Sequence, residues 1–195
     1  MARSTKSRTR QSQLRIIGGQ WRSRRLSFTP STGLRPTTDR IRETLFNWLG
    51  PAVNGARCAD LFAGSGALGL EALSRGAGHC DFVETNGTAI EQIEAHLVKL
   101  DATQRGSCHR VPAEQFLNSM SAGWDLVFVD PPFGEDLVNP TLVLLGEKNL
   151  LQEDARIYVE TAPQDPAPQA PAHWTLHREK QAGGVIYRLF IARAG

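Results

Sequence analysis

From residue 57 onward, short apolar runs alternate with segments of helical periodicity. The runs predict buried strands over 57–62, 81–84, 107–111, 124–129 and 156–160. The intervening segments predict helices over 67–75, 87–100, 113–120 and 140–147; in the second of these, Ile90, Ile93, Leu97 and Leu100 share one face. Strands that alternate with helices of this length form βαβ units. The sequence therefore predicts an α/β fold, with a mostly parallel sheet and helices on both faces.

The C-terminal part departs from this alternation. Four prolines between residues 163 and 171 indicate an extended connection instead of a helix. Residues 174–178 and 185–192 then read as strands joined through Gly183-Gly184, which is typical of an antiparallel hairpin. The predicted sheet has seven strands in all. A parallel sheet that ends in such a hairpin is the Rossmann-like arrangement of class I methyltransferases.

The N-terminal part precedes the alternation. Residues 1–13 are polar and basic, without apolar periodicity, so we expect a disordered basic tail. Two apolar pieces, Leu14–Ile17 and Leu26–Phe28, predict a small hairpin. Thr37 or Thr38 is expected to cap a helix that follows. We assign residues 14–195 to one domain, in which 14–50 form a basic extension and 51–195 the core.

Charge is distributed unevenly along the chain. Residues 1–42 contain 11 Lys and Arg against one acidic residue, a net charge of 11 − 1 = +10, although the whole chain carries only +2. The remainder has 11 basic and 19 acidic residues, a net charge of 11 − 19 = −8. A basic arm on an acidic body indicates a polyanionic partner held at one end of the molecule. The alternative is a solvated tail that only aids solubility.

Other sequence features bear on the cellular compartment and on metal binding. No run approaches the ~20 apolar residues that span a bilayer, and no secretory signal is recognisable, so we expect a soluble cytoplasmic protein without a membrane partner. The cysteines Cys58, Cys80 and Cys108 lack metal-ligand spacing, so no metal site is predicted. An odd, sparse set of cysteines fits a reducing compartment.

A glycine-rich segment, residues 60–69, connects the first core strand to its helix. Gly64 and Gly66 lack Cβ atoms, so a ligand can lie against the backbone at the carboxyl edge of the sheet. With Gly69 the spacing also satisfies G-x-G-x-x-G, so a dinucleotide site remains open. Glu84 ends the next strand, where a carboxylate can accept both hydroxyls of a ribose. Together these residues predict a ribose-bearing cofactor without identifying it.

The segment Asp130-Pro131-Pro132-Phe133 follows an apolar strand and reaches the same edge. Consecutive prolines stiffen the backbone and remove two N–H donors, which leaves carbonyl oxygens and the Asp130 carboxylate as acceptors. An exocyclic amine offers two N–H donors. If both are held, the nitrogen lone pair faces an electrophile, and Phe133 can stack on the base. This segment predicts methylation of a base amine and has no use in a nicotinamide enzyme.

At this point the chain resembles a known family. The pair Asp-x-Phe-x-Gly-Ser-Gly and Asp-Pro-Pro-Phe is similar to that of nucleic acid amino-methyltransferases. The segments Arg15-Ile16-Ile17-Gly18-Gly19 and 33–46, with Arg35-Pro36-Thr37-Thr38-Asp39-Arg40, resemble the one-domain bacterial small-subunit (16S) ribosomal RNA guanine-N2 methyltransferases. The resemblance covers the chain from about Leu14 to the C-terminal hairpin.

The resemblance implies S-adenosylmethionine as cofactor and roles for three sets of residues. The implied catalytic residues are Asp130, Pro131, Pro132 and Phe133. The implied cofactor-binding residues are Asp60, Phe62, Ala63, Gly64, Ser65, Gly66, Leu68, Glu84, Thr85, Ala113 and Glu114. The implied RNA-binding residues are Arg15, Trp21, Arg22, Arg24, Arg25, Arg35, Thr37, Thr38 and Arg40. Trp21 could equally be a core residue of the small hairpin. The chain departs from the family where Pro112 stands in place of an acidic residue that contacts adenine; Glu114 or backbone contacts would then hold the adenine.

The expected partner is ribosomal RNA, in a partly or fully assembled small subunit, and the expected state is a monomer. Three alternatives stay open: a DNA adenine or cytosine amino-methyltransferase, a nicotinamide-dependent oxidoreductase, and a non-catalytic RNA-binding assembly factor. The DNA enzymes often carry a recognition domain for which 195 residues leave little room. The other two leave either the amine-binding segment or the cofactor loop without a role.

Overall fold

A seven-stranded sheet organises the protein in the computed structural model, which describes residues 12–29, 38–121 and 123–193. Its strands are β3 (Arg57–Asp60), β4 (His79–Val83), β5 (Gly106–His109), β6 (Trp124–Val129), β7 (Leu151–Thr161), β8 (Trp174–Ala182) and β9 (Val185–Ala192). Their order is β5-β4-β3-β6-β7-β9-β8. The first five of these are parallel, and β9 pairs antiparallel with both β7 and β8. The predicted fold class, a mostly parallel sheet with a C-terminal hairpin, is confirmed.

Within the described ranges, the α-helices are α1 (Asp39–Leu49), α2 (Ala67–Ser74), α3 (Gly87–Lys99), α4 (Ala113–Ser119) and α5 (Val138–Glu147). The apolar side chains form two clusters, one on each face of the sheet. Helices α1, α2 and α3 contribute to the first cluster, and α4 and α5 to the second. Among the described residues, no helix is both long and apolar enough to cross a bilayer.

The N-terminal extension begins with an antiparallel hairpin, β1 (Ser12–Arg15) and β2 (Arg25–Phe28). Ser12 pairs with Phe28 and Gln13 with Ser27, which corrects the expectation of disorder through residue 13. Residues 1–11 of the predicted tail lie outside the described part of the chain. Thr38 caps α1: its hydroxyl accepts a hydrogen bond from the Ile41 N–H at 3.4 Å.

Buried polar contacts fasten this extension to α2. The Glu71 carboxylate is fully buried and accepts hydrogen bonds from the backbone N–H groups of Ile17 and Gly18, each at 2.8 Å. The Ser74 hydroxyl accepts from the Trp21 N–H at 3.0 Å and donates to the Gly18 carbonyl at 2.6 Å. Because an unpaired buried carboxylate is costly, these bonds fix the hairpin against the helix.

Strand order places a ligand-binding crevice at the centre of the sheet. From β3 the chain continues outward to β4 and β5, and it then returns to form β6 on the other side of β3. Connections leave β3 and β6 in opposite directions, which opens a crevice at the carboxyl ends of these two strands. The glycine-rich segment follows β3, and Asp130 follows β6, so both border this crevice.

Candidate active site

The glycine-rich turn after β3 depends on two left-handed backbone positions. Gly64 has φ +52° and Gly66 has φ +76°, values that side chains rarely tolerate. The turn closes through a hydrogen bond from the Gly66 N–H to the Ala63 carbonyl at 2.7 Å. Gly66 then caps α2, so the start of this helix faces the crevice.

Gly69, the third glycine of this spacing, has a packing role. A Cβ atom at Gly69 would lie 2.3 Å from Phe82 Cε1 and 2.7 Å from Cys80 Sγ. Helix α2 can therefore approach β4 only because residue 69 has no side chain. The spacing G-x-G-x-x-G is explained by this contact and needs no dinucleotide.

Asp60 lies beneath the turn and does not face the crevice. Its side chain is 2% exposed, and the carboxylate accepts a hydrogen bond from the Gly69 N–H at 3.0 Å. Burial, reinforced by the charges of Asp130 and Glu84, raises the pKa of Asp60 to about 7, although the bond from Gly69 opposes the shift. Leu68, which the resemblance also places at the cofactor, is likewise buried. Asp60 supports the turn through its hydrogen bond from the Gly69 N–H, and direct contacts of Asp60 and Leu68 with the cofactor stay a prediction.

Glu84, at the end of β4, joins the turn to the neighbouring strand. One carboxylate oxygen accepts from the Gly64 N–H at 2.9 Å, and the other accepts from the Asn86 N–H at 2.8 Å. These bonds fix a carboxylate beside the glycine turn. The Thr85 hydroxyl also donates to Glu84 at 3.2 Å, so of the roughly four acceptor positions of a carboxylate about one remains for a ribose hydroxyl.

The segment after β6 brings Asp130 and three rigid residues to the same crevice. Asp130 is partly buried, Pro131 is buried, and Pro132 and Phe133 are exposed. Phe133 is 38% exposed and stands among the few large apolar side chains with this much surface. An exposed ring beside an acceptor-rich turn suits stacking on a base.

A cavity of about 360 Å³ connects these elements, within the range of small-molecule sites. Its walls include Leu61 and Phe62 after β3, Glu84 after β4, and Asp130 and Pro132 after β6. A third side is formed by Val111, Pro112, Ala113 and Glu114. Pro112, the departure from the family pattern, is the N-cap residue of α4 and lines the cavity together with the predicted Ala113 and Glu114.

The charge of the cavity favours a cation. Four carboxylate side chains line it, Glu84, Glu114, Asp130 and Glu135, and the described lining residues include no Lys, Arg or His. S-adenosylmethionine carries a positively charged sulfonium and fits this lining. A dinucleotide carries two phosphates, which these carboxylates would repel.

Part of the cavity wall was not predicted from the sequence. Glu135, Leu137, Pro140, Thr141 and Leu144 contribute one side from the start of α5 and the loop before it. Predicted cofactor residues Ala63, Gly64, Ser65 and Gly66 form the turn at its border, and Thr85 lines it. No local sequence pattern marks these residues as part of a site. They reach the cavity only because of the path that the backbone takes after the Asp-Pro-Pro-Phe turn.

The predicted RNA-binding residues fall into three groups. Exposed side chains belong to Arg15, Arg22, Arg24, Arg25, Thr38 and Arg40. Arg35 and Thr37 lie outside the described residues. Trp21 is only 6% exposed and packs with the core, with the Arg105 guanidinium 5.6 Å from its ring centroid. This burial agrees with the alternative that Trp21 is a core residue of the hairpin, and stacking of a base on its indole stays a prediction.

The sheet order, the hairpin and the acidic crevice define a class I methyltransferase. The chain is matched over residues 14–191 by the family described as Conserved hypothetical protein 95. It is 49% identical to Ribosomal RNA small subunit methyltransferase D of Escherichia coli over 184 residues, with 93% of this chain and 91% of the relative covered. The protein of the same name from Haemophilus influenzae is 43% identical, with 91% and 93% covered. The chain belongs to this family of small-subunit ribosomal RNA methyltransferases, and its cofactor is S-adenosylmethionine.

Solved structures agree with this assignment. The candidate methyltransferase yhhF of Escherichia coli superposes with a TM-score of 0.86 at 45% identity, and the match covers 94% of this chain and all of that one. An RNA methyltransferase of Salinibacter ruber in complex with S-adenosyl-L-homocysteine superposes with a TM-score of 0.63 at 10% identity, over 83% and 95% of the two chains. The second match supports the fold alone.

Proposed function

We propose that the protein transfers a methyl group from S-adenosylmethionine to the exocyclic N2 amine of one guanine in small-subunit ribosomal RNA. The observation that carries this proposal is a single cavity lined by both Glu84 and Asp130. Glu84 would hold the ribose of the cofactor, and Asp130 would hold the amine. The cofactor supplies an electrophilic methyl group when bound.

The residues after β6 would position the amine. The Asp130 carboxylate and the Pro131 carbonyl accept its two hydrogens, which turns the nitrogen lone pair toward the cofactor side of the cavity. Phe133 stacks on the base and fixes its plane. No general base is required, because the nitrogen can lose its proton after it has gained the methyl group. A base inside a helix cannot reach this position, so the target nucleotide must be unstacked or flipped.

Two features favour small-subunit ribosomal RNA as substrate. The relatives from Escherichia coli and Haemophilus influenzae carry this substrate in their names. Exposed arginines of the extension, among them Arg22, Arg24 and Arg25, would contact phosphates. Their positive charge contrasts with the acidic lining of the cavity. We propose a monomer that acts on a partly or fully assembled subunit.

The test is transfer of a labelled methyl group to small subunits from cells that lack the corresponding enzyme. Naked ribosomal RNA and duplex DNA are offered in parallel, and the label is identified by nucleoside mass spectrometry. We expect N2-methylguanosine at one position, with the subunit as the best substrate and a rate at least about tenfold lower for Asp130→Ala. Label in DNA, or in N6-methyladenosine or N4-methylcytidine, would instead establish a different amino-methyltransferase. Calorimetry should show binding of S-adenosylmethionine and none of NAD.

A further inference from the structure

Glu160 is a second carboxylate beside the amine-binding segment. It lies near the end of β7, next to β6, where Val159 pairs with Val129 in the parallel register. The residues that follow this pair, Glu160 and Asp130, therefore reach the same edge of the sheet on adjacent strands about 4.8 Å apart. Because side chains alternate along strands, Glu160 lies on the same face of β7 as Tyr158, and the charge of Asp130 also acts on Tyr158.

The Glu160 side chain is held by a hydrogen bond from a buried tyrosine. Its side chain is 3% exposed, and one carboxylate oxygen accepts a hydrogen bond from the Tyr158 hydroxyl at 2.6 Å. Tyr158 is itself fully buried; burial, together with the charges of Glu160 and Asp130, raises the pKa of Tyr158 well above its ordinary value, so the hydroxyl remains a donor.

Glu160 also faces the place where the base would lie. A small cleft beside the main cavity is lined by Pro131, Pro132 and Phe133 together with Glu160 and Thr161. Pro131, whose carbonyl would accept from the amine, and Phe133, which would stack on the base, thus share one cleft with this second carboxylate, and Asp130 lines the main cavity beside it.

We infer that Glu160 selects guanine by accepting the N1–H of the target base. Guanine carries donors on adjacent atoms, N1–H and the N2 amine, so one edge can satisfy Glu160 and the Asp130 segment together. In adenine and cytosine the ring nitrogen beside the amine is an acceptor, and its lone pair would face the carboxylate. An acceptor against an acceptor costs a hydrogen bond and adds repulsion, so these bases are rejected. The inference rests on the proposed function and names the group that sets its base specificity.

A base analogue separates the amine from the N1–H. In 2-aminopurine the amine is retained, but N1 is an acceptor, as in adenine. Small-subunit RNA is assembled with either guanine or 2-aminopurine at the methylated position, and single-turnover rates are measured with each. We expect the wild-type protein to prefer guanine by at least about tenfold.

The informative variant is Glu160→Gln, which keeps the shape of the side chain and supplies an N–H donor. Its carboxamide can donate to N1 of 2-aminopurine, so the guanine preference should fall at least about tenfold or reverse. The ratio of the guanine rate to the 2-aminopurine rate is measured within one protein preparation, so partial misfolding cancels. The effect of the missing O6 cancels when the ratios of variant and wild-type protein are compared. Glu153→Gln, an exposed position on the same strand, is the matched control and should keep the wild-type ratio.

The possible outcomes distinguish a failure of the proposed role of Glu160 from a failure of the proposed function. If the wild-type protein methylates guanine N2 and Glu160→Gln keeps the full guanine preference, the role of Glu160 is overturned while the proposed function stands. If the wild-type protein methylates no guanine N2, both are overturned. A loss of preference in Glu160→Gln but not in Glu153→Gln establishes the inference.

Discussion

Asp60 and Asp81 lie on adjacent strands of the same sheet, and burial affects them differently. Burial raises the pKa of Asp60, whose single hydrogen bond from Gly69 does not offset it. Burial also acts to raise the pKa of Asp81, but hydrogen bonds from His109, His79 and Trp124 outweigh it and hold the pKa well below its usual range. The number of donors, and not burial alone, decides the charge of a carboxylate.

The raised pKa of Asp60 predicts a pH-dependent stability. Between about pH 4 and pH 7 the folded state binds a proton that the unfolded state has lost, so the free energy of unfolding falls as pH rises through this window. Asp60→Asn, which has no charge to bury, should gain stability relative to the wild-type protein by up to about 4 kcal/mol between pH 4 and pH 8. Urea unfolding at pH 4.5, 6 and 8 measures the difference. The exposed Asp101→Asn is the control. If the free energy of unfolding of Asp60→Asn changed with pH just as that of the wild-type protein does, the prediction would be wrong.

Asp130 should matter for chemistry and little for cofactor affinity. In Asp130→Ala the amine loses a charge-assisted acceptor, a cost of roughly 1.5–3 kcal/mol, and the nitrogen is also misaligned. Single-turnover methylation should fall at least about tenfold, while the Kd for S-adenosylmethionine, measured by calorimetry, stays within a small factor. An unchanged rate would mean that another group holds the amine.

At the scale of elements, local patterns predicted nearly all strands and helices of the core. The largest difference is β7, which begins at Leu151 and not at Arg156. Residues Gln152, Glu153 and Asp154 are polar and exposed, so they lack the apolar pattern of a strand, although their backbone continues it. Pairing of backbone groups needs no apolar side chain, and periodicity cannot detect it.

The candidate site was predictable where its residues are contiguous and not where strands bring them together. The glycine turn and the Asp-Pro-Pro-Phe segment each carry their chemistry within a few residues. Glu160 lies 30 positions after Asp130, and only the parallel pairing of β6 with β7 brings them together. The residues around Thr141 reach the cavity because α5 packs against this face, which no local pattern specifies.

The packing of α2 on β4 predicts a sensitive position. Gly69→Ala would place a methyl group 2.3 Å from Phe82 Cε1, so α2 must shift. Overpacking of this kind costs typically about 1–3 kcal/mol, and the shift should also weaken cofactor binding through the glycine turn. Denaturant unfolding and calorimetry measure both effects. In the double variant with Phe82→Leu the cost of Gly69→Ala should shrink; equal costs in both backgrounds would show that Phe82 is not the obstacle.

At the scale of the whole molecule, charge is separated between the N-terminal extension and the lining of the cavity. The cavity is lined by carboxylates, and exposed arginines lie on the extension. Such a distribution draws a polyanion to the extension and keeps its phosphates out of the cofactor site. One RNA can then be held tightly without competing with S-adenosylmethionine.

The basic N-terminal residues should govern RNA affinity and not the chemical step. Residues 1–11 contain four basic side chains, and deletion of this segment leaves β1 complete. The deletion should weaken RNA binding and flatten its salt dependence by roughly 0.7 per lost phosphate contact, with cofactor affinity unchanged. Replacement of Arg22 and Arg24 by Gln should weaken binding as well, because these side chains extend from a folded hairpin. RNA affinity over a salt series measures both effects. Equal salt slopes for the full chain, the deletion and the double replacement would mean that the tail only aids solubility.

The anchoring of the extension on α2 has a consequence for how such enzymes diversify. Glu71 and Ser74 serve as acceptors for Ile17, Gly18 and Trp21, yet they belong to the helix that begins at the glycine turn. An extension grafted onto another methyltransferase would lose these acceptors and leave buried N–H groups unpaired. The extension, which we propose binds RNA, is thus not a detachable module, and a chimera that exchanges it must exchange α2 with it.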